Sequence, residues 1–89
     1  MKSSGKYKII RHKLAGKDYE KIKSAGLEKT IKKLITILED DPFALPYENL
    51  KGDLKGLCSR RINKQHRLLY EVDKKEKIVK IMRMWTHYE

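Results

Sequence analysis

The chain has 89 residues, enough for one domain, and its 39% hydrophobic against 38% charged composition leaves only a thin core. Lys and Arg number 22 against 12 Asp and Glu, a formal net charge of +10, which favours a polyanionic partner: RNA, DNA, an acidic protein or an anionic membrane surface. Cys58 is the single cysteine, which excludes an intrachain disulfide and fits a reducing compartment. No apolar run approaches the ~20 residues that span a bilayer. Residues 1–6 lack the apolar region of a signal peptide, so the chain reads as soluble and cytoplasmic.

In chain order, residues 7–11 are short and β-rich and predict a first strand. A helix is expected over 14–24, where Ala15, Tyr19 and Ile22 fall at helical spacing, until Ala25-Gly26 breaks it. A second helix is expected over 27–40. Leu27, Ile31, Leu34, Ile35 and Leu38 share one face, and Asp41-Pro42 ends the helix because a residue before proline resists αR geometry. Residues 43–49 read as a loop. Strands are expected over 57–62, 65–72 and 78–85, with a tight turn at 63–64 and a polar hairpin turn at 73–76. Residues 78–85 are apolar on parts of both faces, which predicts a central strand. The order β-α-α-β-β-β implies an α+β fold, a small mainly antiparallel sheet with both helices on one face. Residues 1–89 are expected to form one domain, with 1–6 as a flexible N-terminal extension.

The positive charge is uneven. Residues 51–67 hold six basic side chains (Lys51, Lys55, Arg60, Arg61, Lys64, Arg67) against one acid, Asp53. Arg60, Arg61 and Arg67 bracket a hairpin, which suits a solvated or phosphate-binding face. Strand alternation puts Arg67 opposite Leu68 and Tyr70, toward a ligand rather than a packed layer. Of the three histidines, His12 lies in the basic N-terminal stretch and is expected in solvent, while His66 falls mid-strand on the face of Leu68 and Tyr70 and is expected to pack. His87 follows an apolar run beside Trp85 and Tyr88. One cysteine and three scattered histidines form no zinc-ligand spacing, and no Gly-rich phosphate loop is present. Metal-free cleavage of RNA stays open, because the 2′-hydroxyl is a built-in nucleophile. Such cleavage needs a base for its proton, a cation for the phosphorane and an acid for the departing 5′-oxygen. Glu48, an arginine and His87 could supply them.

Asp41-Pro42-Phe43, Glu48-Asn49-Leu50-Lys51, Gly56-Leu57-Cys58-Ser59-Arg60-Arg61-Ile62, His66-Arg67-Leu68-Leu69-Tyr70 and His87-Tyr88 together resemble the YoeB/Txe toxins of bacterial toxin–antitoxin modules, in the RelE superfamily. The resemblance runs from about residue 7 to residue 88. It implies a twisted antiparallel sheet with two N-terminal helices, and a ribosome-dependent endoribonuclease, an mRNA interferase that cuts mRNA in the A site. By resemblance, Glu48 is the general base, Arg67 binds and stabilises the phosphate, and His87 is the general acid. Tyr88 shapes the site, and Lys51 and Arg61 hold substrate. The same resemblance implies a cognate acidic antitoxin of the YefM/Axe kind, with ribosome and mRNA as partners, and leaves a homodimer open; the residues themselves lead to the expectation of no metal, no cofactor and no membrane. Two features depart from the family pattern: a shorter loop before Glu48, and Cys58 in place of an aromatic residue. Two other readings compete. A gyrase-binding toxin of the ParE kind would not need the Glu48, Arg67 and His87 set. A non-catalytic RNA-binding module would carry stacking aromatics on its sheet, where only Tyr70 and Trp85 are candidates.

Overall fold

The computed structural model of the chain describes residues 6–84. Strand β1 (Lys8–Arg11) leads into helices α1 (Lys13–Ser24) and α2 (Glu28–Asp40). Strands β2 (Glu48–Asn49), β3 (Cys58–Arg61), β4 (Arg67–Asp73) and β5 (Ile78–Arg83) follow, with a single 3-10 turn at Gly52–Leu54 between β2 and β3.

Each helix begins and ends for a local reason. His12 sits at the N-cap of α1, and its Nδ1 accepts from the Leu14 N–H at 3.1 Å. It is half-buried rather than solvated, because a freed amide of the first turn needs an acceptor. Gly26, at φ 76°, closes α1 in the left-handed region, and the Leu27 N–H donates back to Ile22 O at 3.0 Å. Glu28 opens α2 where the helix dipole favours an acid, and accepts from Tyr19 Oη at 2.7 Å, which ties the two helices together. Asp41 is extended before Pro42 and stops α2, as expected.

The helices press Ala15, Ile22, Ile31 and Leu38 onto Leu68, Tyr70, Val79 and Ile81, all fully buried. The sheet order is β1-β5-β4-β3-β2. The three longer C-terminal strands pair antiparallel, and the last is internal, as its sequence predicted. Strand β1 joins the far side of β5 in parallel, from Lys8↔Ile78 to Arg11↔Ile81. A parallel neighbour cannot be joined by a tight turn, and here α1, α2 and β2 to β4 all lie between the two strands in the chain.

Three further expectations change. Residues 48–49 are not loop but a short strand paired antiparallel with Ser59 and Cys58; two polar residues carry no alternation signal. His66 is buried, as expected of a packing residue, but precedes β4 rather than lying within it. Asn63 Oδ1 accepts from the Gln65 and His66 amides at 2.8 and 2.7 Å, and this turn draws both residues out of the ladder. Leu69 is buried like its neighbours, so the Arg67 side of β4 is packed beyond its first residue; a register shift lies between Leu69 and Tyr70. Trp85, His87 and Tyr88 lie outside the described residues, as does the N-terminal extension except Lys6. Among the described residues no helix is long and apolar enough to cross a membrane.

Candidate active site

The site is built around β3, with β2 on one side and β4 on the other. Glu48 pairs with Ser59, Ser59 pairs with Leu69, and Arg61 pairs with Arg67. Paired and alternate residues share a face, so Glu48, Ser59, Arg61 and Arg67 project to one side of the sheet. The β2–β3 connection folds back through Gly52 (φ 65°) and Gly56 (φ 100°), conformations that suit glycine, and this sets Glu48 opposite Ser59.

Arg67 Nη1 donates to Glu48 Oε1 at 2.5 Å and lies 3.4 Å from Ser59 Oγ. The glutamate side chain is 66% exposed and the arginine 21%. An ion pair this open contributes little to stability. It does hold a carboxylate and a guanidinium side by side at the surface. They line a cleft of about 420 Å3 with Ser59, Arg60 and Arg61, walled on the apolar side by Leu34, Ile37, Leu45, Pro46 and Tyr47. The cleft therefore offers an acceptor, three arginines and an apolar wall, a set suited to a phosphodiester with its attached base.

Of the residues expected to hold or cut substrate, Glu48, Arg61 and Arg67 come together here. Lys51 is exposed just beyond β2, at the start of the 3-10 turn, and does not line the cleft. His87 and Tyr88 fall outside the described residues. The basic hairpin does not act as one exposed face, because Arg60 is only 3% exposed. Its guanidinium turns to the loop that follows α2. It donates to Pro46 O at 3.1 Å, to Ala44 O and, at 3.4 Å, to Pro42 O. Tyr70 Oη donates to the same Pro42 carbonyl at 2.8 Å, and burial pushes its phenol up to about 12. Cys58, buried beside β2, has a thiol raised by burial and sits 3.6 Å from Asn49 Oδ1.

A second polar cluster lies where β5 leaves the sheet, with Arg83 across from Leu69 in the row that holds Ser59 and Glu48. The buried Asp18 carboxylate on α1 accepts from Arg83 Nε at 2.7 Å, Arg83 Nη2 at 3.2 Å and the Met84 N–H at 3.1 Å. The bond to Asp18 raises the Arg83 guanidinium further. These contacts fasten the exit of β5 to α1. Their only trace in the sequence is an acid among the apolar positions of the first helix.

Residues 7–88 match the family model described as the YoeB-like toxin of bacterial type II toxin–antitoxin systems. The chain belongs to this family. Among solved structures, this YoeB-like toxin is similar to the YoeB/ParE toxin from Agrobacterium tumefaciens, with 32% identity and a TM-score of 0.82 over 91% of this chain and 99% of that one. It is similar also to the YoeB-YefM complex from Staphylococcus aureus, with 31% identity and a TM-score of 0.76 over 92% and 98%. A local match, 56% identical over 25 residues, joins it to Toxin HigB-1 of Vibrio cholerae serotype O1 and spans 28% of this chain and 26% of that protein. The two helices against a five-stranded mixed sheet are the fold of RelE- and YoeB-like toxins. The YoeB-like toxin thus carries the fold implied by its motifs, and three of its expected site residues share one cleft.

Proposed function

We propose that this toxin is a ribosome-dependent endoribonuclease that cuts mRNA in the A site by metal-free acid–base chemistry. Contact between Glu48 and Arg67 in an open, basic cleft is the observation that carries this reading. Glu48 takes the 2′-hydroxyl proton, and the 2′-oxygen attacks the adjacent phosphorus. Arg67 spends one nitrogen on Glu48 and keeps other N–H donors for the nonbridging oxygens, where negative charge grows. His87 gives a proton to the departing 5′-oxygen. The products are a 2′,3′-cyclic phosphate, open to hydrolysis to the 3′-phosphate, and a 5′-hydroxyl. Arg61, Lys51 and Tyr88 hold and shape the substrate, and the net charge of +10 serves both ribosome docking and grip on the message.

An acidic antitoxin is the partner that neutralises the chain. The similarity to the toxin of the YoeB-YefM complex and the basic character of the cleft both support it. Opposite charge speeds such an encounter, and covering Arg67 or His87 hides the site.

The deciding experiment is primer extension on preassembled ribosomes carrying a message with one 2′-deoxy nucleotide at the cut position. The all-ribose message should be cut, and the deoxy message should bind equally and stay whole. Cutting of the deoxy message at the normal rate would overturn the 2′-hydroxyl mechanism.

A further inference from the structure

Arg60 is a buried cation with no carboxylate partner among the described residues. Burying a charge is costly, and an apolar side chain of similar volume would generally serve a core position as well or better. Yet Nη1 and Nη2 of this guanidinium both go to one loop. Its three acceptors, Pro42 O, Ala44 O and Pro46 O, are spaced at alternate residues along the five-residue segment that leaves α2. The segment's next residue, Tyr47, lies with its ring centroid 6.0 Å from the guanidinium carbon. After Tyr47 comes Glu48.

The neighbours of Arg60 show what this arrangement achieves. Glu48 sits in a strand of two residues, too short to hold its own register against solvent. Its partner Ser59 and the cleft-lining Arg61 flank Arg60 in β3, so one strand presents alternate residues to two tasks. Ser59 and Arg61 face the cleft, while Arg60 reaches the cleft wall only from the interior and spends its Nη1 and Nη2 on the loop that delivers Glu48. Tyr70, diagonal to Arg60 across the β3–β4 ladder, holds Pro42 O from the same side.

We propose that Arg60 is the positioning residue for Glu48: by binding the carbonyls of residues 42, 44 and 46 it fixes the loop, and through it the carboxylate beside Arg67. Its part is to place the base rather than to bind substrate. The proposal rests on the nuclease reading for its effect on rate, but the positioning itself is measurable without any RNA.

The test compares wild type with Arg60→Lys, which keeps the charge and loses the fork that spans several carbonyls. Hydrogen exchange of the segment 43–50 should become at least about tenfold faster while β4 and β5 stay protected. On saturating ribosomes, single-turnover cleavage should fall by roughly 10²-fold, as expected of a misplaced base, with ribosome affinity within about twofold of wild type. Unchanged exchange in 43–50, or a cleavage rate equal to wild type, would overturn the proposal. So would a loss confined to ribosome affinity, which would make Arg60 a binding residue. If wild type itself cuts nothing, the nuclease reading fails, and the exchange comparison alone decides the positioning. If Arg60→Lys does not fold, Tyr70→Phe takes its place. It removes one hydroxyl from the same loop and should give the same exchange signature in weaker form; no change in 43–50 would then overturn the clamp.

Discussion

Glu48 and Arg67 meet across a strand to which neither belongs. They stand in β2 and β4, on opposite sides of β3, and their side chains close to 2.5 Å near the buried Ser59 hydroxyl. Neither strand neighbours the other in the sheet, so the pair exists only when both outer strands take their register on β3.

Removing either member should therefore damage chemistry far more than folding. Glu48→Gln should slow single-turnover cleavage on saturated ribosomes by about 10²–10⁴-fold, the range for a missing general base. Arg67→Ala should cost about 10²–10³-fold through the phosphorane charge. His87→Gln should match the Glu48 variant in scale, as a missing general acid, with an unchanged melting temperature. Because the Glu48–Arg67 pair is open to solvent, neither substitution in it should cost more than about 1 kcal/mol in urea unfolding. A folded variant that cuts within about twofold of wild type removes its residue from the mechanism.

The basic side chains outside the ion pair should act through phosphates. Arg61→Ala, inside the cleft, and Lys51→Ala, outside it, should each weaken association with RNA. The log–log salt slope should flatten by roughly 0.7 for each single-strand phosphate that the variant no longer neutralises. Titrations at several salt concentrations read this directly. A parental slope for either variant means that its side chain does not touch the RNA backbone.

At the exit of β5, Asp18→Asn should be a stability variant. The change keeps volume but strips the charge from hydrogen bonds to Arg83 and to the Met84 amide. Bonds of this charged kind contribute about 1.5–3 kcal/mol each, so a loss on that order is expected. The urea midpoint should drop with the slope of the transition unchanged. A midpoint equal to wild type would show that Asp18 does not fasten β5 to α1.

Tyr70 gives the chain an alkaline limit. Burial raises its phenol from 10.0 to about 12, so the folded state holds this proton more tightly than the unfolded chain does. The resulting stability is complete below pH 10 and drains away as pH rises through about 12. Tyr70→Phe should flatten that part of the stability–pH curve and lower stability at neutral pH by about 1 kcal/mol, the worth of its bond to Pro42 O. Unfolding measured across this range in both proteins is the check. Parallel curves would mean that Tyr70 does not carry the dependence.

Elements whose patterning is local are legible in the chain alone. The apolar stripe of α2, its stop at Asp41-Pro42, the glycine that closes α1 and the two-faced apolar run of β5 each follow from a few adjacent residues, because helix and strand periods are set by backbone geometry. Motif order also singles out Glu48, Arg61 and Arg67, which the fold gathers in one cleft. Packing settles what depends on partners distant along the chain. Arg60 and Arg61 are identical neighbours in sequence, yet one is buried and holds a loop while the other is exposed in the cleft. The phase of β3 against the sheet separates them, and that phase is set by pairing with β2 and β4. Glu48–Asn49 is a strand only because β3 offers an edge. Asp18 is a buried anchor only because Arg83, 65 residues away, returns beside it. A burial cost or an ion pair is a property of two surfaces brought together, and a local pattern carries only one of them.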